Sequence, residues 1–405
     1  MNRKFYWVIL AIAGFITWGC MTFRYVGNGF SLALIAFGIA VGLLFVTRNY
    51  QPKLSIPLNL RNAFIALYGT LFIVGGLQNN ILQNLILGSY SALNIFLVTV
   101  PLWMILYIGR KVDIRKVSSF VIIGNLYAFC IYGFWLYFTE KQERFSSFYG
   151  SPPEVGMLLD LLLPFSIAIG VYYWNSPKWR IAILCLVPFE ITSLILTETR
   201  GSYLAISGSL FFTAIVWLKR NHDKISDRIK LIVVGFISCV CIGLVGYAFS
   251  IGMESTARMV GGERLLMWES SYHMWRDHPV LGIGLDGWRS AYNDPDSIYF
   301  MEQKKETTNM MPHNIYIFFL ATGGLVSFCG LVAYILFMLR YLCQTINLHE
   351  KNPIAWGMFF IFIAFMAHGM VDGTLISRHI GRIFYLLMGI GILFIENEEK
   401  DLLAE

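Results

Sequence analysis

Apolar runs long enough to cross a bilayer recur along the whole chain, at 5–22, 30–47, 62–77, 91–109, 117–138, 153–174, 181–197, 202–218, 230–250, 313–340, 354–372 and 380–395. As a helix, roughly 18 residues cross about 30 Å of hydrocarbon, and in lipid every backbone N–H and C=O must be satisfied inside the segment. A chain built this way is a helical membrane bundle. Composition agrees: 57% of residues are hydrophobic and 14% charged, where a soluble domain carries about 25% charged residues. The expected fold is an all-α integral membrane protein of about twelve transmembrane helices, the third short and the tenth long.

The first run follows "MNRK" and ends in "TWGC". A lipoprotein-type cleavage site wants small residues before Cys20, Trp18 violates this, and no A-x-A-like site follows, so the run reads as a retained helix. Lys and Arg in the loops set the orientation. A cytoplasmic N-terminus places Arg3, Lys4, Arg48, Lys53, Arg61, Arg110, Lys111, Arg115 and Lys116 inside. The second half adds Lys178, Arg180, Lys219, Arg220, Lys224, Arg228, Lys230, Arg340, Lys351 and Lys400. That is 19 of the 31 Lys and Arg inside and 12 outside, six of the latter in one long loop that the rule discounts. Both termini are then cytoplasmic. Helices one to nine occupy 1–250, an outward-facing loop with short helices 251–312, helices ten to twelve 313–395 and a cytoplasmic tail 396–405. The net charge of +6 follows from this topology and calls for no nucleic-acid partner. The seven cysteines fall in or beside the spans and suggest neither a disulfide framework nor a zinc site.

Polar residues are costly in a membrane protein, and here they gather at the outer helix ends. "LTETRGSYLAIS" (Leu196–Ser207) joins spans seven and eight through a short link carrying Glu198 and Arg200, with Gly201 permitting a tight reversal and Ser202 suited to an N-cap. Arg200 reads either as a turn arginine snorkelling to headgroups or as a ligand for a buried anion. In the long loop, Glu263–Asp277 has helical periodicity, with Leu266, Trp268, Tyr272 and Trp275 on or near one face. Arg264 sits in its first turn, where the macrodipole disfavours a cation, so it needs a local carboxylate such as Glu263 or an anionic ligand. "GIGLDG" follows no strand and opens no obvious helix, so Gly282, Gly284 and Gly287 read as turn formers rather than a phosphate loop.

"TTNMMPHNIYIFFLATGGLVSF" (Thr307–Phe328) puts Pro312 in the first turn of span ten and His313 and Asn314 at the positive end of its dipole. Two outward helix N-termini with Arg200 and Arg264 would suit a phosphate or diphosphate. His313 reads as a capping residue or as a base, since imidazole titrates near working pH. Span eleven ends "AFMAHGMVDGTLISRHIGR", with His368 and Asp372 four apart on one helical face, as a local ion pair or as an acid orienting His313. Ser151, Pro152 and Glu154 fit a capping box, while Asp160 and Glu190 lie inside spans without an assigned role. His273 and His278 lack metal-ligand spacing.

"TRG" at one helix mouth, "GGERLLMW…HPVLGIGLDGW" in the loop and "HN" at the next mouth, on about twelve spans, resemble the O-antigen ligase/polymerase superfamily, membrane glycosyltransferases of the GT-C type. The resemblance implies a glycan donor on undecaprenyl diphosphate at the periplasmic face of the bacterial inner membrane. Arg200 and Arg264 match the family's diphosphate-binding arginines, His313 its base and Asp372 its late aspartate, with Asn314 and His368 in support. It further implies inverting transfer to a lipid A–core hydroxyl, with no metal or other cofactor. Polymerases are expected to have two sizeable outer loops with spaced Arg-to-Gly motifs; here one outer loop is long, although Arg276 and Gly287 show such spacing. The loop "QNNILQNLILGS" is uncharged and lacks the early outer lysine of some ligases. Ligase is the preferred reading, ahead of polymerase, a protein O-oligosaccharyltransferase and an ion-coupled transporter using Asp160 and Glu190.

Overall fold

A computed structural model describes residues 56–110, 113–224, 226–256, 260–302 and 310–404. The expected spans 5–22 and 30–47, with Cys20, lie outside the described residues. Within them all regular structure is helical. In chain order, α1 is Leu58–Leu77, α2 Gln83–Tyr107, α3 Arg115–Thr139, α4 Pro152–Tyr172, α5 Pro177–Leu196 and α6 Arg200–Arg220. They are followed by α7 Asp227–Thr256, α8 Val260–Asp277, α9 Trp288–Asn293, α10 Ile315–Leu348, α11 Pro353–His368 and α12 Arg378–Ala404. The ten expected spans that fall here each coincide with an apolar helix, and nine are long enough to cross a membrane. The remaining one, α11, has 16 residues and covers about 24 Å at 1.5 Å per residue. Pro at the first turn starts α4, α5 and α11, where its missing N–H costs nothing.

No part of the most apolar window of α7 is buried, and Leu231, Ile232, Phe236 and Ile242 are exposed. Water would not tolerate that surface; lipid tails do. Because lipid gives helices no hydrophobic reason to associate, cohesion rests on close packing and buried hydrogen bonds. Phe365 and Phe384 stack at 4.1 Å between α11 and α12, and the Tyr385 hydroxyl bonds those of Tyr68 (2.9 Å) and Tyr334 (3.0 Å) across three helices.

The unusual length of the tenth span has a structural cause. Helix α10 is broken at Gly324 (φ 62°, ψ −162°), and residues 279–284 of the long loop are laid into the break. Leu325 N and Val326 N donate to Pro279 O (2.9 Å) and Val280 O (3.3 Å), while Ile283 N and Gly284 N donate to Ala321 O and Thr322 O, both at 3.1 Å. The loop thus supplies the bonds the broken helix gives up. Gln78 locks the joint: its Nε2 donates to Thr322 O (2.8 Å) and Leu281 O, and its Oε1 accepts from Leu285 N (3.1 Å). Gly282 and Gly284 are turn formers as expected, with φ of 67° and 119°.

The bundle has two chemically different ends. One, the loop end, brings together residues 78–90, 144–152, 197–200, 279–286, 312–315 and 369–378. The other carries ion pairs of Arg110 with Glu396 (2.5 Å), Arg115 with Asp401 (2.7 Å) and Lys224 with Glu350 (2.9 Å).

Candidate active site

Two helix mouths at the loop end share one construction. In α6 the N-cap is Thr199, not the expected Ser202, which lies buried three positions into the helix; Arg200 is the first helical residue. In α10 the N-cap is Asn314, whose Oδ1 accepts from Tyr316 N (2.9 Å) and Ile317 N (3.1 Å). The helix starts at Ile315 rather than at Pro312, because a capping Asn overrides the N1 preference of proline. The residue before each cap, Glu198 (φ 50°) and His313 (φ 49°), is left-handed. Such a conformation costs a non-glycine residue about 1–3 kcal/mol and persists only where neighbours fix it. For His313 they do. Pro312 O accepts from Trp268 Nε1 (2.9 Å), Asn314 Nδ2 donates to Met370 O (2.8 Å), and Ile315 N donates to Gly369 O (2.8 Å).

So held, His313 Nδ1 lies 3.2 Å from Asp372 Oδ1. The imidazole is one-third exposed and Asp372 is nearly buried. Burial opposes ionisation of Asp372, but the hydrogen bond and charge of His313, the nearby His368 and the Gly373 N–H (2.7 Å) outweigh it and hold the carboxyl below its usual range. With Asp372 ionised, Nδ1–H donates to it and the Nε2 lone pair is left open to a proton. His368 and Asp372 do not form the local pair considered above. Helix α11 ends at His368, Asp372 lies in the turn beyond, and His368 Nδ1 instead meets Asp160 Oδ2 of α4 at 2.6 Å, both residues being buried.

His368 connects the two mouths. A Cβ on Gly201 would lie 2.9 Å from His368 Nε2 and 2.8 Å from a Val371 methyl, so glycine after Arg200 lets α6 seat directly on the turn that carries Asp372. Arg144, which the sequence reading passed over, braces the same turn: its Nε donates to Thr197 O (2.8 Å) and its Nη2 to Glu198 O (3.2 Å). Burial depresses the Arg144 guanidinium, Glu198 counteracts this, and Arg200 is near enough to lower it further. Two cations are thus packed at one helix mouth. The signal was present in sequence, as an arginine in a loop that the expected topology places outside, where the positive-inside rule disfavours it.

Arg264 is half-buried. Among the described residues helix α8 runs from Val260, earlier than expected, which places Arg264 beyond the first turn and weakens the dipole argument. It precedes by one turn the Trp268 that bonds Pro312, about 6 Å along the axis and on the same face. The buried stripe of α8 is Met267, Ser270, Ser271 and Met274 rather than the expected aromatic face, and Tyr272 is exposed. The capping box at α4 is incomplete, since Ser151 holds the N-cap position without a side-chain cap bond. Arg382 is half-buried. Glu190 is buried and accepts from Ser166 Oγ at 2.7 Å. No group of three His, Cys, Asp or Glu among the described residues could hold a metal ion.

Below Arg200, an apolar groove of about 680 Å³ runs between α4, α6, α7 and α11, lined by Leu163, Ile167, Ile206, Leu210, Trp217 and Phe360 among others. Its first α6 residue, Ile206, lies about 9 Å down the helix from Arg200.

Residues 181–335 match the family model described as O-antigen ligase. The matched segment holds Arg200, Arg264 and His313 and ends before His368 and Asp372. Among curated proteins no match is found.

Proposed function

We propose that this multi-pass membrane protein is a glycosyltransferase of the ligase kind in the O-antigen ligase-like superfamily, a reading supported by the match of residues 181–335 to the O-antigen ligase family model. It transfers a glycan from undecaprenyl diphosphate to a hydroxyl of lipid A–core oligosaccharide, at the periplasmic face of the bacterial inner membrane. The observation that carries this reading is the His313–Asp372 pair, seated through Val371 and His368 on the helix mouth of Arg200.

The acceptor hydroxyl attacks the anomeric carbon from the face opposite the diphosphate. As the new C–O bond forms, the hydroxyl proton passes to His313 Nε2, and the bond to the diphosphate oxygen breaks with its electron pair leaving on the phosphate. Attack from the opposite face inverts the anomeric centre. Asp372 fixes the imidazole and stabilises the imidazolium. Arg200, Arg264 and the amide-rich starts of α6 and α10 meet the charge growing on the leaving group. Asn314 serves by shaping the His313 turn and His368 by seating α6. The groove below Arg200 has the depth and apolar lining to accept the polyprenyl chain. Both termini face the cytoplasm in this arrangement, as the loop charges require.

Polymerase chemistry would use the same groups on a different acceptor, and Arg276 to Gly287 in the long loop is the feature that favours it. Envelope glycans from a strain lacking the gene, complemented with wild type or His313→Ala, separate the two. Long polymer retained on undecaprenyl diphosphate and missing from lipid A–core in both null and mutant supports the ligase. Core carrying a single repeat unit supports the polymerase. Unchanged glycans in the null exclude both.

A further inference from the structure

We propose that the cavity at the loop end between residues 79–90 and 283–293 is a saccharide-binding cleft serving the His313 site. The inference rests on the glycan-transfer reading and adds to it where a sugar is held. The cavity measures about 460 Å³, within the ~300–1,000 Å³ typical of small-ligand sites. Its lining includes Asn79, Asn80, Gln83, Tyr90, Arg289 and Asn293. Carboxamides carry donors and acceptors side by side, as vicinal sugar hydroxyls do, and an aromatic ring offers an apolar face to the C–H side of a pyranose.

The walls are tied together by the cavity's one carboxylate. Asp286 accepts from Gln83 Nε2 (2.7 Å) and from Tyr90 N (2.9 Å), and its own N–H donates to Asn84 Oδ1 at 3.2 Å. Asn84 is anchored in turn by donating to Asn79 O at 2.7 Å. The acid is thereby occupied in holding two loops from opposite parts of the chain. The carboxamides of Asn79 and Asn80 make no hydrogen bond among the described residues and are exposed, so they are available to a ligand. A lining of neutral amides with one carboxylate and one arginine suits neither a diphosphate, which wants unspent cations, nor a lipid chain.

The cleft also lies where a sugar is needed. Tyr90 packs edge-on against Phe318 at 5.3 Å, in the first turns of the helix that His313 precedes. Tyr90 is within electrostatic reach of Asp372 and Arg378, and Arg378 Nη2 donates to Ser89 O at 3.3 Å on the cleft's rim. A saccharide there belongs either to the acceptor, presenting its hydroxyl to His313, or to the donor glycan beyond its anomeric carbon.

The test uses purified full-length protein and Ser290→Trp, which fills the cleft from an exposed residue whose Oγ, among the described residues, bonds only Gly287 O. KM for lipid A–core and for the undecaprenyl diphosphate-linked glycan are measured beside kcat. Saturation-transfer NMR is recorded with lipid-free core oligosaccharide and with free repeat-unit oligosaccharide. The cleft predicts that one KM rises by about tenfold or more while kcat stays within about twofold, with loss of saturation transfer to the matching sugar. A rise for lipid A–core assigns the acceptor and a rise for the lipid-linked glycan assigns the donor. Unchanged KM for both overturns the cleft and leaves the transfer reading standing. If wild type transfers nothing, that reading fails by itself, and the NMR still decides: signal in wild type lost in Ser290→Trp supports a saccharide site, while signal absent or equal in both overturns it. Should Ser290→Trp misfold, Asn79→Ala is to raise the same KM about threefold, and no change overturns the cleft.

Discussion

His313 is held in a strained backbone by three hydrogen bonds that tie its flanking residues to two segments: Pro312 to Trp268 of α8, and Asn314 and Ile315 to the Met370 and Gly369 carbonyls of one turn. What that fixes is the direction of Nδ1 toward Asp372 and of Nε2 away from it. Asp372→Asn keeps the shape and removes the charge that selects this tautomer, so kcat for transfer should fall by about 10²–10⁴-fold with donor KM little changed. Loss of donor binding with kcat intact would instead make Asp372 a binding group. The same carboxylate predicts a pH effect. Its folded pKa is depressed, so its stabilisation is complete above the unfolded value near 4 and is lost as pH falls through the lower folded value. Thermal unfolding of wild type and Asp372→Asn should therefore differ above about pH 4 and converge as the pH falls further. Divergence in acid would show the pairing to be misread.

Among elements, α10 with its break at Gly324 matters most, because it ties the long loop to the spans. Alanine at 324 would have to adopt φ 62° with its Cβ against the Val280 carbonyl. Gly324→Ala should cost about 1–3 kcal/mol and loosen residues 279–284, seen as a lower melting temperature and faster proteolysis of the loop. Unaltered melting would mean that the loop is not seated in the break. This element also shows what a sequence does and does not expose. Hydropathy gave the excess length of the tenth span and placed the helix mouths of Arg200 and His313 to within about two residues, while the capping residues are Thr199 and Asn314 rather than those expected. It could not show that the excess is a break filled by a segment some 40 residues earlier. Nor could it show that Asp160 and His368, 208 positions apart, are partners. Span length is a local property, while the neighbour that satisfies a buried acid is set by which helices pack together. The face of α8 was misread for the same reason: its stripe is set by two serines, Ser270 donating to Tyr299 O at 2.8 Å and Ser271 accepting from Trp288 Nε1 at 2.8 Å.

For the whole molecule, the two ends differ in chemistry in the way that a one-sided enzyme requires. Ion pairs that lock helix ends lie at one, and His313, the arginines and the amide-lined cleft at the other. In a cysteine-free background, Ser290→Cys should react with a membrane-impermeant maleimide in intact spheroplasts, and Glu350→Cys only after permeabilisation. The reverse pattern would invert the topology and remove the periplasmic donor from reach of the site. Given the expected sidedness, the central claim is that His313 takes the acceptor's proton during glycan transfer. Its most direct test is the single-turnover rate of purified His313→Ala with undecaprenyl diphosphate-linked glycan and lipid A–core, beside a measurement of donor binding. The account predicts donor affinity within about threefold of wild type and a transfer rate lower by at least about 10²-fold. A rate within a few-fold of wild type would contradict it.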